Sequence, residues 1–353
     1  MKLVIFGLTL SSSWGNGHAT LWRGLCSALA KVGCDVTFFE RDVPYYATHR
    51  DLVWPESYKL ILYPNWRDVA SLAKCAVREA DAAIVTSYCP DALDASDVIL
   101  DSAALKVFYD LDTGVTLERL QKVGTVEYIP AYGLAEFDLV LSYVGGSALQ
   151  DLQRLLGARK VAPLYGSVDP NIHKPVLPAN HYTSDLSYLG TYAADRQATL
   201  ERLFLKPAQS LPQKKFILGG TQYPADFPWN QNVWFVRHVP PPEHASFYSS
   251  SRATLNVTRA AMASTGYCPS GRLFEAAACE TPVVSDSWPG LEEFYENGRE
   301  ILVASQSEEV IDTLSRDAIE LRRIGQAARK RVLESHTAEH RCRELTQLLE
   351  TAA

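Results

Sequence analysis

Short apolar runs alternate with longer stretches of helical periodicity along this chain, beginning at its first residues. KLVIFGL (2–8) reads as a buried strand, and ATLWRGLCSALAKV (19–32) as a helix closed by Gly33. DVTFFE (35–40) is the second strand, and WRDVASLAKCAVREA (66–80) a helix. DAAIVTS (81–87), LKVFYD (105–110) and EFDLVLSY (136–143) are further strands, the last followed by a helix over 147–156. Apolar strands separated by amphipathic helices predict a parallel sheet covered on both faces.

The rhythm breaks over 163–182, PLYGSVDPNIHKPVLPANHY, which holds four prolines and no clear period. This segment reads as a linker between domains. The alternation then restarts. Strands are expected at 185–190, 214–220, 233–239, 253–258, 282–285 and 300–304. Helices are expected at 195–204, 242–251 and 271–280, and a long charged helical stretch at about 318–350. The fold class is therefore α/β, with two halves of similar size.

Composition narrows the picture. A chain of 353 residues has room for two domains. Its formal charge of −7 lowers the expectation of nucleic-acid binding, which depends on Lys and Arg neutralising phosphates. Seven cysteines without a C-x-x-C pair read as free thiols of a reducing compartment, and a cytoplasmic location is the expectation. No apolar run approaches the roughly eighteen residues needed to span a bilayer. MKLVIFGLTL reads as a first strand and not as a targeting signal.

In open α/β sheets, ligands bind beyond the carboxyl ends of strands, so the chemistry should lie in the loops there. SSSWGNGHAT (11–20) follows the first strand. Gly15 and Gly17 allow close backbone approach, and the next helix offers free N–H groups to an anion. His18 is either a donor or acid/base, or a solvated residue in a capping turn. The stretch is neither a P-loop nor G-x-G-x-x-G, since Thr20 stands where a third glycine would be needed.

YDLDTG (109–114) carries Asp110 and Asp112 as D-x-D. Such a pair can chelate a cation, or Asp112 can cap the following helix. A polar or acid/base role is preferred here over metal. YLGTYAADRQ (188–197) offers Gly190 and Thr191 for close approach and Arg196 for a phosphate. ILGGTQYP (217–224) and RHVPPPEH (237–244), which includes His238, follow strands where a base could stack. In PSGRLFEAAACETPVVSD (269–286), Ser270 is an N-cap, and Gly271 and Arg272 open a helix. Glu275 lies one turn in, where a carboxylate can accept two hydrogen bonds from a ribose diol, or simply satisfy the helix dipole.

FEAAACETPVVSD (274–286) and PGLEEFYENGREILV (289–303) resemble the nucleotide-binding signature of GT-B glycosyltransferases. With YDLDTG, LYGSVDP (164–170), DLSYLGTYAADRQ (185–197) and GYCPSGRLFEAAAC (266–279), the chain is most similar to the spore-maturation CgeB-like group of that superfamily. The resemblance implies two Rossmann-like, doubly wound parallel-sheet domains with a cleft between them. An acceptor domain would span 1–165 and a donor domain 166–335, with a C-terminal helix over 336–353 crossing back to the first. The donor is a nucleoside-diphosphate sugar, and no metal or other cofactor is expected.

The resemblance further implies that Glu275 binds ribose and that Gly271 and Arg272 lie beside the pyrophosphate. Gly190, Thr191 and Arg196 would form the phosphate loop, and Gly15, Gly17 and His18 the glycine loop of the first domain. His18, Asp110 and Asp112 are the catalytic candidates. Two departures stand out. Tyr267 replaces the first glutamate of the common E-x7-E, and Glu280 occupies the glycine position of A-C-G-T-P. A sugar-nucleotide epimerase or an idle nucleotide-sugar-binding protein would use the same scaffold. A nicotinamide dehydrogenase is disfavoured by the incomplete glycine motif, with Glu40, near the end of the second strand, as a partial counter-argument.

Overall fold

A computed structural model describes all residues, 1–353. The chain forms two compact units: one comprises 1–13, 17–165 and 338–353, the other 14–16 and 166–337. No helix is long and apolar enough to cross a membrane.

The first unit is built on seven strands: β1 (Lys2–Gly7), β2 (Asp35–Arg41), β3 (Lys59–Tyr63), β4 (Ala82–Thr86), β5 (Leu105–Asp110), β6 (Leu139–Ser142) and β7 (Val161–Pro163). Their order is β3-β2-β1-β4-β5-β6-β7 and every pairing is parallel. Leu3 through Gly7 are all buried, so both faces of the central strand are covered. The reason is the period of two: Leu3 and Ile5 join a core with Trp22, Phe38 and Tyr109, while Phe6 stacks on Phe39 at 4.9 Å from the other side. Leu345 and Leu349 of the C-terminal helix, Ala338–Ala352, complete the first of these cores.

The second unit has six strands: β8 (Ser184–Leu189), β9 (Phe216–Gly219), β10 (Val233–Val236), β11 (Ser251–Asn256), β12 (Val283–Ser285) and β13 (Leu302–Val303). The order is β10-β9-β8-β11-β12-β13, again all parallel. Each sheet reverses its winding once, between β1 and β4 and between β8 and β11. Those switch points direct attention to the loops after β1, β4, β8 and β11.

Several elements differ from the pattern reading. β3 and the helix Ala92–Leu100 lie in stretches to which the pattern reading assigns no element. The expected helix over 195–204 is a 3-10 turn (Ala194–Arg196), a short α-turn and a π-segment (Glu201–Leu205) continuing to Ser210. The long charged stretch is two helices, Ala318–Ser335 and Ala338–Ala352, parted at His336–Thr337. The second helix places Ala338, Cys342, Leu345 and Leu349 in the core of the first unit.

Glu280 follows the helix Gly271–Ala278 with φ of 60°, the left-handed conformation that glycine favours at a helix end. Its carbonyl is pressed against Gly325, where an added Cβ would come within 2.1 Å. A non-glycine residue in this region costs roughly 1–2 kcal/mol. Glu280→Gly should therefore raise stability by about 1 kcal/mol, after the extra entropy of glycine in the unfolded chain. Urea unfolding checks this. An unchanged or lower midpoint would mean that the ion contact of Glu280 with Arg329, at 3.9 Å, outweighs the relief.

Candidate active site

In the first unit, the loop after β1 is fixed before it reaches its glycines. The Glu40 carboxylate, buried near the end of β2, accepts hydrogen bonds from Leu10 N (2.6 Å), Ser11 N (2.8 Å), Thr9 Oγ1 (2.9 Å) and Ser11 Oγ (2.5 Å). Asp51 accepts from Ser13 N (3.0 Å) and Arg23 (2.6 Å), and Arg23 Nε donates to Leu10 O at 2.9 Å. Glu40 is thus committed to the loop and does not serve as the ribose-binding acid of a dinucleotide domain. Gly15 has φ of +69°. Gly17 is the N-cap of the helix His18–Lys31, with open space where a Cβ would stand. Nothing in the chain itself requires glycine at position 17.

His18 opens that helix, and its Nε2 lies 3.4 Å from Oδ2 of Asp112. Asp112 occupies the N-cap position of the helix Thr113–Val123, but its side chain makes no cap hydrogen bond. Its carboxylate turns to the histidine instead. Tyr88, after β4, sets its ring edge-on to His18 at 6.1 Å and packs on Tyr128 at 4.9 Å. Tyr88 was not foreseen; its φ of 61° is a signal only a structure gives.

Asp110 behaves differently from Asp112. It is fully buried, and its Oδ1 accepts from Thr116 Oγ1 at 3.0 Å and Asp112 N at 3.1 Å. Burial pushes its pKa up to about 6 despite these hydrogen bonds. The two carboxylates of the D-x-D are therefore divided, one inward as a brace and one toward His18.

In the second unit, the loop after β8 packs backbone on backbone. Gly190 N donates to Gly219 O at 2.8 Å, and a Cβ on Gly220, whose φ is +154°, would lie 1.9 Å from Gly190 O. Arg196 Nη1 donates to Thr191 O at 3.1 Å, which ties the guanidinium across the loop. Its charge also acts on Asp286, after β12, whose pKa burial raises to about 6 while Thr258 and Arg196 oppose the shift. His238 lies half-buried beyond the end of β10.

Ser270 caps the helix Gly271–Ala278, its hydroxyl accepting from Arg272 N at 3.3 Å. Glu275 is buried one turn in. His173 Nε2 stands 4.0 Å from its Oε1, and His244 Nδ1 3.7 Å from its Oε2. Burial favours the neutral acid, but His173, His244, Arg272 and the Tyr248 hydroxyl together hold its pKa below the usual carboxylate value. Burial depresses both histidines, His244 to about 4. The three side chains bring metal-capable atoms within 4.8 Å of one another. His173 sat in the proposed linker, and His244 in the expected helix over 242–251, so neither was foreseen as a partner of Glu275.

A family model described as glycosyl transferase-like matches residues 196–347. A comparison with curated proteins finds no match. Among solved structures, the chain is similar to sucrose-phosphate synthase from Thermosynechococcus elongatus, at 15% identity and TM-score 0.70 over 99% of this chain and 98% of that one. It is similar to HepE of Anabaena in complex with UDP and glucose, at 14% identity and TM-score 0.68 over 99% of both chains. An α-glucosyltransferase in complex with UDP-glucose and DNA containing an abasic site gives 12% identity and TM-score 0.70 over 99% of both. The fold is that of GT-B glycosyltransferases.

The raised pKa of Asp110 has a stability consequence. A carboxyl whose folded pKa exceeds its unfolded value binds more protons when folded, so stability falls as pH rises from about 4 to about 6. Above that window the full penalty applies, up to about 3 kcal/mol. Asp110→Asn keeps an acceptor for Thr116 and removes the charge. Its melting temperature should exceed that of the wild type at pH 7.5, and the gap should close below pH 4. A gap independent of pH would contradict the assignment.

Proposed function

We propose that the chain is a glycosyltransferase using a nucleoside-diphosphate sugar, with UDP the nucleotide to test first. The observation that carries this reading is Glu275, buried and held ionised on a Ser270-capped helix beyond the end of β11. A carboxylate so placed can accept both hydroxyls of a ribose diol, and the N-terminus of this helix at Gly271 suits a diphosphate. The family match over 196–347 covers this helix, and the similar structures solved with UDP or UDP-glucose support the choice of base. Membership of the CgeB-like group belongs to the same proposal and rests on GYCPSGRLFEAAAC.

Transfer develops negative charge on the leaving diphosphate. The helix N-terminus at Gly271, Arg272 and Arg196 would meet that charge where it forms, with Gly190 and Thr191 allowing close approach. This route calls on no metal. His238 would lie on the base side of the donor. On the first unit, His18 would take the acceptor proton, with Asp112, 3.4 Å from its Nε2, stabilising the imidazolium. Gly15 and Gly17 would leave room beside it. Asp110 would brace the loop and not touch substrate.

Thermal shifts with UDP, GDP, ADP, TDP and NAD test the donor site. UDP should raise the melting temperature of wild type and not of Glu275→Ala. A shift with NAD alone would overturn the reading. His18→Ala should keep the UDP shift yet lower sugar transfer from a UDP-sugar by roughly 10²–10⁴-fold, as lost general base catalysis does. Full activity in that variant would remove His18 from the chemistry.

A further inference from the structure

The two histidines beside Glu275 call for an explanation that helix 271–278 does not supply. His173 comes from the loop after β7, and His244 from the helix Pro241–Ser249. Each faces a different carboxylate oxygen, and their own nitrogens, Nε2 and Nδ1, are 3.5 Å apart. His244 Nε2 lies 3.1 Å from Val239 O. A carbonyl only accepts, so Nε2 carries the proton and Nδ1 is the atom turned to Glu275. A proton on His173 Nε2 is then directed to His244 Nδ1, and both rings stand in packing contact with the carboxylate.

Other groups bear on the same cluster. The Tyr248 hydroxyl and the Arg272 guanidinium act on Glu275, Asp169 acts on His173, and the Cys279 thiol is close enough to feel the carboxylate. A buried ionic cluster is weak evidence for stability, since apolar side chains of similar volume often do as well. A cation is also poorly served. Arg272 is a positive charge acting on both Glu275 and His244, and the separations of 3.5–4.0 Å exceed the about 3.3 Å edge of a tetrahedral zinc site. What the arrangement does provide is a carboxylate packed between two imidazoles, one beside each oxygen at 3.7–4.0 Å, with lone pairs left over for two hydroxyl donors.

We propose that His173 and His244 are positioning residues that orient the Glu275 carboxylate for the 2′,3′-diol of the donor ribose. This rests on the nucleotide reading given above. The pair makes ribonucleotide selectivity a property of three segments of the second unit and not of one helix.

Calorimetric binding of UDP, 2′-deoxy-UDP, 3′-deoxy-UDP and 2′,3′-dideoxy-UDP tests it, on wild type, His173→Phe, His244→Leu, His173→Gln, His244→Asn and Glu275→Gln. Wild type should prefer UDP over each deoxy analogue by about tenfold or more, the range of a hydrogen bond to a charged group. The apolar variants should bring that ratio close to one while leaving the affinity for 2′,3′-dideoxy-UDP unchanged. Gln at 173 and Asn at 244, which place a polar atom where the facing nitrogen stood, should restore part of it. An unchanged ratio in both apolar variants, or an equal loss for all four ligands, would overturn the proposal. An unchanged ratio in Glu275→Gln would instead sink the ribose reading, and the proposal with it. Stoichiometric zinc in the wild type, lost in these variants, would replace it with a metal centre. Where an apolar variant does not fold, histidine-labelled wild type decides by NMR. Ring signals of His173 and His244 should move with UDP and not with 2′,3′-dideoxy-UDP, and equal responses would overturn the proposal.

Discussion

A carboxylate taken out of water at a helix start is the constraint around which the second unit is arranged. Glu275 is buried, and an isolated charge there would cost several kcal/mol. Compensation arrives from Arg272 on the same helix and, from elements distant in sequence, His173, His244 and Tyr248. Because those partners sit on separate segments, the loop after β7 and the helix Pro241–Ser249 are both pinned to the helix Gly271–Ala278. Alanines 276–278 serve the same end, since small side chains let that helix lie close to the sheet. Charge and packing thus pull on one helix together.

The first unit solves a related problem with a different carboxylate. The backbone N–H groups of Leu10 and Ser11 leave the sheet at the end of β1 and would be buried without partners. Glu40, on the neighbouring β2, supplies them. Arg23 and Asp51 then tie the next residues. The loop that delivers Gly17 and His18 is therefore set before any ligand arrives, and preorganisation of this kind lowers the ordering cost of binding.

Much of the fold was legible from the chain, because fully buried parallel strands are short apolar runs and little else produces them. β1, β2, β5 and β8 follow from that alone. What escaped was of two kinds. β3 sits at the edge of its sheet, is only partly buried, and lies beside an aromatic, proline-containing stretch, so its pattern is faint. The break at His336–Thr337 has no proline or glycine to announce it; only the different burial of the helices on either side reveals it. For the site, Ser270 and Glu275 were readable because capping and helix position are local rules. His173 lies 102 residues from Glu275 and His244 31 residues from it, and no local rule joins them.

The D-x-D shows why spacing alone underdetermines chemistry. Asp110 is the last residue of β5, where the strand is still enclosed, and its carboxylate is met by Thr116, the Asp112 amide and Ser87. Two residues later the chain has left the sheet, and Asp112 meets His18. A chelate would require both carboxylates to turn toward one point. Here the hydrogen bond from Asp112 N to Asp110 Oδ1 holds the inner carboxylate under the turn, while the outer one is drawn to an imidazole. The same bond that makes the turn therefore separates the pair, leaving one carboxylate to brace the loop and the other to face His18.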